Sequence, residues 1–141
     1  MRRLHRLLVC TTIVSIAAMV FGMTAASAQG VRPSMVHPRS KLVLSVFRGE
    51  QADPGSLEKQ VTLTCNPDGG THPLPHKACN ALRAVHGHIA ALPGNPGICP
   101  FIFAPVTATA KGTWRGHLVT FQKTFPNSCV LHRATTPVFD F

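Results

Sequence analysis

The chain has 141 residues and a formal charge of +9, with fourteen basic residues against five acidic ones and no tyrosine. That length allows one ordinary domain. The bases are scattered singly and no aromatic residues interleave with them, which argues against a nucleic-acid platform and for a mildly basic soluble surface.

The chain opens "MRRLHRLLVCTTIVSIAAMVFGMTAASAQG". Arg2, Arg3 and Arg6 precede an almost uncharged apolar run over 7–23, and Ala26-Ser27-Ala28 is a small-residue cleavage signal. This order predicts a secretory signal peptide over 1–28, with no membrane attachment after its removal. Residues 29–141 keep eleven of the fourteen bases and all five acids, so the formal charge falls to about +6. They keep four of the five cysteines: Cys65, Cys79, Cys99 and Cys129. In an exported chain an even count implies two disulfides, and four cysteines allow three connectivities. No pair has the short spacing of a zinc knuckle.

Residues 29–39, with two prolines and little periodicity, are expected to form a flexible arm, and 40–141 a single domain. "KLVLSVFRGE" alternates Leu42, Leu44 and Val46 against Val43, Ser45 and Phe47, a strand covered on much of both faces. "ADPG" is a turn. "QVTLTC" sets Val61, Leu63 and Cys65 opposite Thr62 and Thr64, and should pair antiparallel with the first strand. "NPDGGTHPLP" breaks the chain. Ala78, Leu82 and Val85 then recur at helical spacing, and Gly87 is suited to end that helix. "HIAALPGNPG" is a connection with room for one more helical turn.

"PVTATAKGTWRGHLVTFQKTF" predicts a strand over Val106–Ala110, a reversal at Lys111-Gly112, and a return strand from Trp114 to Phe125 with a bulge at Gly116. The terminal "PVFDF" alternates as a final strand. The expected class is therefore α+β. It has about five antiparallel strands, one or two short helices on one face, and two disulfides.

The residues argue against catalysis. The acids are Glu50, Asp53, Glu58, Asp68 and Asp140, and no pair is placed for acid–base work. His72, His76, His86 and His88 crowd around the helix without an H-E-x-x-H pattern or a carboxylate partner set, so neither a metal nor a cofactor is expected.

The unusual stretch is "ICPFIFAP", 98–105. Pro100 and Pro105 bias Cys99 and Ala104 towards extended backbone. Phe101, Ile102 and Phe103 fit a buried core as well as a contact loop. A stiff extended loop with an apolar tip is what a serine protease cleft accepts in a substrate.

"CNPDGGTHPLPHKACNAL" resembles the signature of the Streptomyces subtilisin inhibitor-like family through Cys65, Pro67, Gly70, His72, Pro73, Ala78, Cys79 and Leu82. "GTWRG", "FPNSC" and "VFDF" extend the resemblance over roughly residues 40–141. It implies pairing of Cys65 with Cys79 and of Cys99 with Cys129. It implies a secreted inhibitor of subtilisin-type proteases, with chymotrypsin-type enzymes a further target class, and a homodimer. It places the reactive bond at Phe101-Ile102, with Ile98, Cys99, Pro100 and Phe103 contacting the protease and Asn127 supporting the loop. Asn80 departs from the family pattern, as does Ala104, where an acid is usual. The alternatives are a non-inhibitory secreted binding module stabilised by disulfides, and a histidine-dependent metal binder.

Overall fold

The computed structural model describes residues 40–141; the signal peptide expected over 1–28 and the arm over 29–39 lie outside them. Five strands, β1 (Ser40–Arg48), β2 (Leu57–Cys65), β3 (Gly69–Gly70), β4 (Val106–Trp114) and β5 (His117–Phe125), are joined by two helices, α1 (Pro75–Ala84) and α2 (Ser128–Thr135). The strands form one antiparallel sheet in the order β3-β2-β1-β4-β5.

Alternation decides which face is covered. Leu42, Leu44 and Val46 of β1 point to one side, opposite Leu63 and Val61 of β2 and Ala110 and Ala108 of β4. These residues join Ala78, Cys79 and Leu82 of α1 and Leu131 of α2 in a single core. Pro75 at the first helical position starts α1 with a preset φ. α1 ends before Gly87: His86, at φ 52°, takes the left-handed position after the helix, and Gly87 N–H closes the turn onto Leu82 O at 2.8 Å.

Three expectations change. Lys111-Gly112 is not a reversal, for β4 runs straight through it. Gly112 faces Leu42, and a Cβ there would lie 2.1 Å from Lys41 O, so glycine permits close approach of strands. The reversal falls at Arg115-Gly116, at φ 49° and 86°, between paired Trp114 and His117. Two left-handed residues are what a two-residue hairpin of right-twisted strands requires. Gly116 is thus a turn residue and not a bulge, and Trp114 ends β4. Thirdly, "PVFDF" is no strand: it turns at the end of α2 and buries Val138 and Phe139 together. The fifth strand is the two-residue β3, Gly69–Gly70.

Asp68 locks the bend before α1. Its carboxylate accepts a bidentate pair from Arg83, both at 2.9 Å, and Asn80 Oδ1 accepts from the same guanidinium at 2.6 Å. The Arg83 hydrogen bonds outweigh burial and hold the Asp68 carboxyl well below the usual carboxylate range. A depressed carboxyl value stabilises the fold above about pH 4, where the unfolded chain is also ionised, and that contribution fades as the pH falls further. Asp68→Asn should therefore cost about 2 kcal/mol at pH 7. In denaturant unfolding the gap from the parent chain should shrink between pH 4 and pH 2.5; a constant gap would show that the charge is not the cause.

A candidate reactive loop

The segment joining α1 to β4 carries no regular structure from residue 92 to 105, yet it is tied down at several points. Cys99 is bonded to Cys129 in the first turn of α2, with Cα atoms 5.8 Å apart. The other disulfide, Cys65–Cys79, joins the end of β2 to α1. Their sequence separations of 14 and 30 correspond to about 3 and 3.5 kcal/mol on the chain-entropy account.

Asn127 does two jobs at once. Its Oδ1 accepts from Val130 N–H at 3.0 Å and caps α2, as an asparagine before a helix should. Its Nδ2 donates to Pro100 O at 3.2 Å and to Ile102 O at 2.9 Å, the carbonyls on either side of Phe101. Asn127 is itself buried. Beyond this point Ala104 N–H donates to Pro126 O, and Gly49 N–H donates to Pro105 O where the loop enters β4.

These anchors hold the apolar side chains outside. Phe101 is fully exposed, Ile98 is 92% exposed, Phe103 74% and Ile102 59%. Among large hydrophobic side chains only a few others reach solvent in this domain, so four in six consecutive residues form a concentrated apolar patch. The core reading of this stretch is thereby excluded. Pro100 is exposed and Cys99 half-buried. The structure thus gathers Ile98, Cys99, Pro100, Phe101, Ile102 and Phe103 on one projecting strip and sets Asn127 and Cys129 behind it.

Residues 38–127 match the family described as Subtilisin inhibitor-like. The chain belongs to the subtilisin inhibitor-like family. Subtilisin inhibitor-like protein 5 of Streptomyces fradiae is 46% identical over 107 residues, covering 74% of this chain and all of that protein. The subtilisin inhibitor of Streptomyces albogriseolus is 40% identical over 119 residues, 83% of each chain. Among solved structures, Streptomyces caespitosus sermetstatin in complex with Bacillus licheniformis subtilisin superposes with a TM-score of 0.62 at 37% identity, covering 72% of this chain and 98% of that one.

Within this family frame the histidines have structural or surface places. His72 is buried; Leu74 N–H donates to its Nδ1 at 3.0 Å, which leaves Nε2–H to donate to Val138 O at 3.0 Å. Acceptance at Nδ1 needs the neutral ring, and burial lowers the tendency of His72 to protonate, although the bond to Val138 O opposes that shift. His76 reaches Asp68 at 3.3 Å, and His86 and His88 are exposed. Among the described residues the one close group of potential metal ligands is Cys65, Asp68 and Cys79, and its two sulfurs are spent on each other. The two departures from the family pattern are absorbed locally: Asn80 joins the Arg83 cluster, and Ala104 is held through its backbone.

Sequence reasoning found Asn127 through the family likeness. Its cap position before Ser128-Cys129 is also a signal of helix entry, and reading it would have revealed α2.

Proposed function

We propose that this chain is an inhibitor of subtilisin-type serine proteases that presents Phe101-Ile102 as a nearly uncleavable substrate bond. The observation that carries this reading is the placement of a fully exposed Phe101 between two carbonyls gripped by one buried asparagine. In substrate terms Phe101 is P1, Ile102 is P1′, Pro100 is P2, Cys99 is P3 and Ile98 is P4. An extended segment of this kind adds to the edge of a protease cleft, and its preset shape leaves little entropy to lose on binding. The inhibitor contributes no catalytic group.

The enzyme's serine attacks the Phe101 carbonyl, the peptide bond breaks, and the amine of Ile102 is released. Asn127 and the Cys99–Cys129 bond keep that amine beside the acyl-enzyme. Held at high effective concentration, it re-forms the bond faster than water can hydrolyse the ester. Phe101 suits the apolar S1 pockets of subtilisin-type and chymotrypsin-type enzymes. A trypsin-type pocket, with its buried acid, favours a cation instead.

The apolar run over 7–23, which fits a signal peptide, and the two disulfides support an extracellular site of action. The sheet face opposite the helices carries Val43, Phe47 and an 81% exposed Leu118, and supports pairing of two copies there. Sedimentation of the intact domain as a monomer at micromolar concentration would remove the pairing.

Titration of subtilisin with the folded, oxidised protein tests the inhibitory reading. Activity should fall linearly to near zero at one inhibitor domain per enzyme. Full activity at micromolar protein would leave the chain a non-inhibitory binding module.

A further inference from the structure

A second clamp holds the loop ahead of Cys99, on the side that Asn127 does not reach. Arg133 of α2 donates from Nη1 to Pro96 O at 2.7 Å and to Asn95 O at 3.3 Å. Its own carbonyl accepts from Asn95 N–H at 2.7 Å. The chain also closes on the side chain itself: a Cβ on Gly97 would lie 1.7 Å from Nη1 and 2.0 Å from Cζ of Arg133. Residues 95–97 therefore wrap one guanidinium. The planar, multiply donating head of arginine is suited to bind two neighbouring carbonyls at once.

The place of this clamp determines what it controls. It fixes Asn95, Pro96 and Gly97, and the Cys99–Cys129 bond fixes the residue two positions beyond Gly97. Ile98 is the single residue between these two fixed points, and it is 92% exposed. With its flanks held, the backbone at Ile98 has little freedom, so the direction of its side chain is set before any partner arrives. Neither the disulfide nor Asn127 could do this alone, for both act at or after Cys99.

We propose that Arg133 is a positioning residue for Ile98: it aims the P4 side chain at the apolar S4 pocket of a subtilisin-type protease. The inference rests on Phe101-Ile102 being the reactive bond. Arg133 touches no enzyme in this account and acts through the loop backbone.

A double-mutant cycle on subtilisin inhibition tests it. Arg133→Met keeps an apolar stem of similar reach and removes the donors. It should weaken inhibition by roughly 10-fold while Arg133→Lys, which keeps a cationic donor for Pro96 O, recovers part of the loss. In an Ile98→Ala background the same Arg133→Met change should cost less than about 2-fold, because there is no longer a P4 side chain to aim. Equal, additive costs in both backgrounds would overturn the proposal and leave Arg133 a general stabiliser. Should Arg133→Met fold poorly by circular dichroism, Gly97→Ala reads the same contact from the loop side and must show the same dependence on Ile98. A parent chain that does not inhibit subtilisin overturns the reactive-bond reading itself. An inhibitory parent with an unaffected Arg133→Met variant overturns only the role of Arg133.

Discussion

Phe101→Lys should create a trypsin inhibitor where the parent chain has almost no effect on trypsin. The expected gain is roughly 1000-fold, corresponding to about 4 kcal/mol for a desolvated, hydrogen-bonded charge pair in the S1 pocket. Inhibition of a chymotrypsin-type enzyme should fall by a similar factor, since its pocket would bury the ammonium without a partner. Subtilisin should lose less, about 10-fold, because strand addition and Ile98 would still contribute. The fold should be untouched: the Phe101 side chain is fully exposed and belongs to no core contact. Thermal unfolding of the variant within a degree or two of the parent checks that point. Inhibition constants against the three enzymes check the rest, and an unchanged profile would place the protease contact elsewhere.

The second large effect concerns durability and not specificity. Asn127→Ser retains an oxygen to cap α2 but loses both donors to the loop. The carbonyls of Pro100 and Ile102 then lose their shared anchor, and the released amine of Ile102 can drift from the acyl-enzyme. Two hydrogen bonds to a constrained loop correspond to a rise of roughly 10- to 100-fold in hydrolysis of the reactive bond. Asn127→Ala should hydrolyse no faster than Asn127→Ser, although loss of the cap lowers its stability by about a further 1 kcal/mol. Following intact inhibitor over time in the presence of enzyme separates the two roles. Hydrolysis that tracks melting temperature instead of the Nδ2 donors would contradict the assignment.

The elements readable from sequence were those with one dominant period. β2 alternates because the helices cover one face of the sheet, β1 declares itself as an apolar run with its core residues two apart, and α1 shows its Ala78 and Leu82 stripe. The features whose local pattern misleads owe their identity to contacts distant in sequence. Gly112 looks like a turn until Lys41 is placed beside it, and the true turn at Arg115-Gly116 depends on strand pairing. In "PVFDF" the alternation is empty, because Val138 and Phe139, adjacent in the chain, are both buried. α2 itself is short and holds Cys129, Val130 and Thr135, poor helix formers that lean on tertiary packing.

The loop shows the same division. Its prolines and its cysteine announced stiffness, but apolar residues alone do not reveal whether they face in or out. Exposure comes from anchors at Asn127, Pro126 and Arg133, all of which bond through backbone carbonyls that carry no residue signature. Arg133 was invisible for a further reason: nothing in its own neighbourhood in the sequence links it to residues 95–97, 36 to 38 positions earlier.

The most direct test is to identify the bond that the protease attacks. The oxidised protein should be held with a catalytic amount of subtilisin until a new species accumulates, then analysed by mass spectrometry before and after reduction. A single cut is expected, between Phe101 and Ile102, adding one water while the two pieces stay joined through Cys99–Cys129 and separate only on reduction. A first cut at any other bond, with inhibition persisting, would contradict the account.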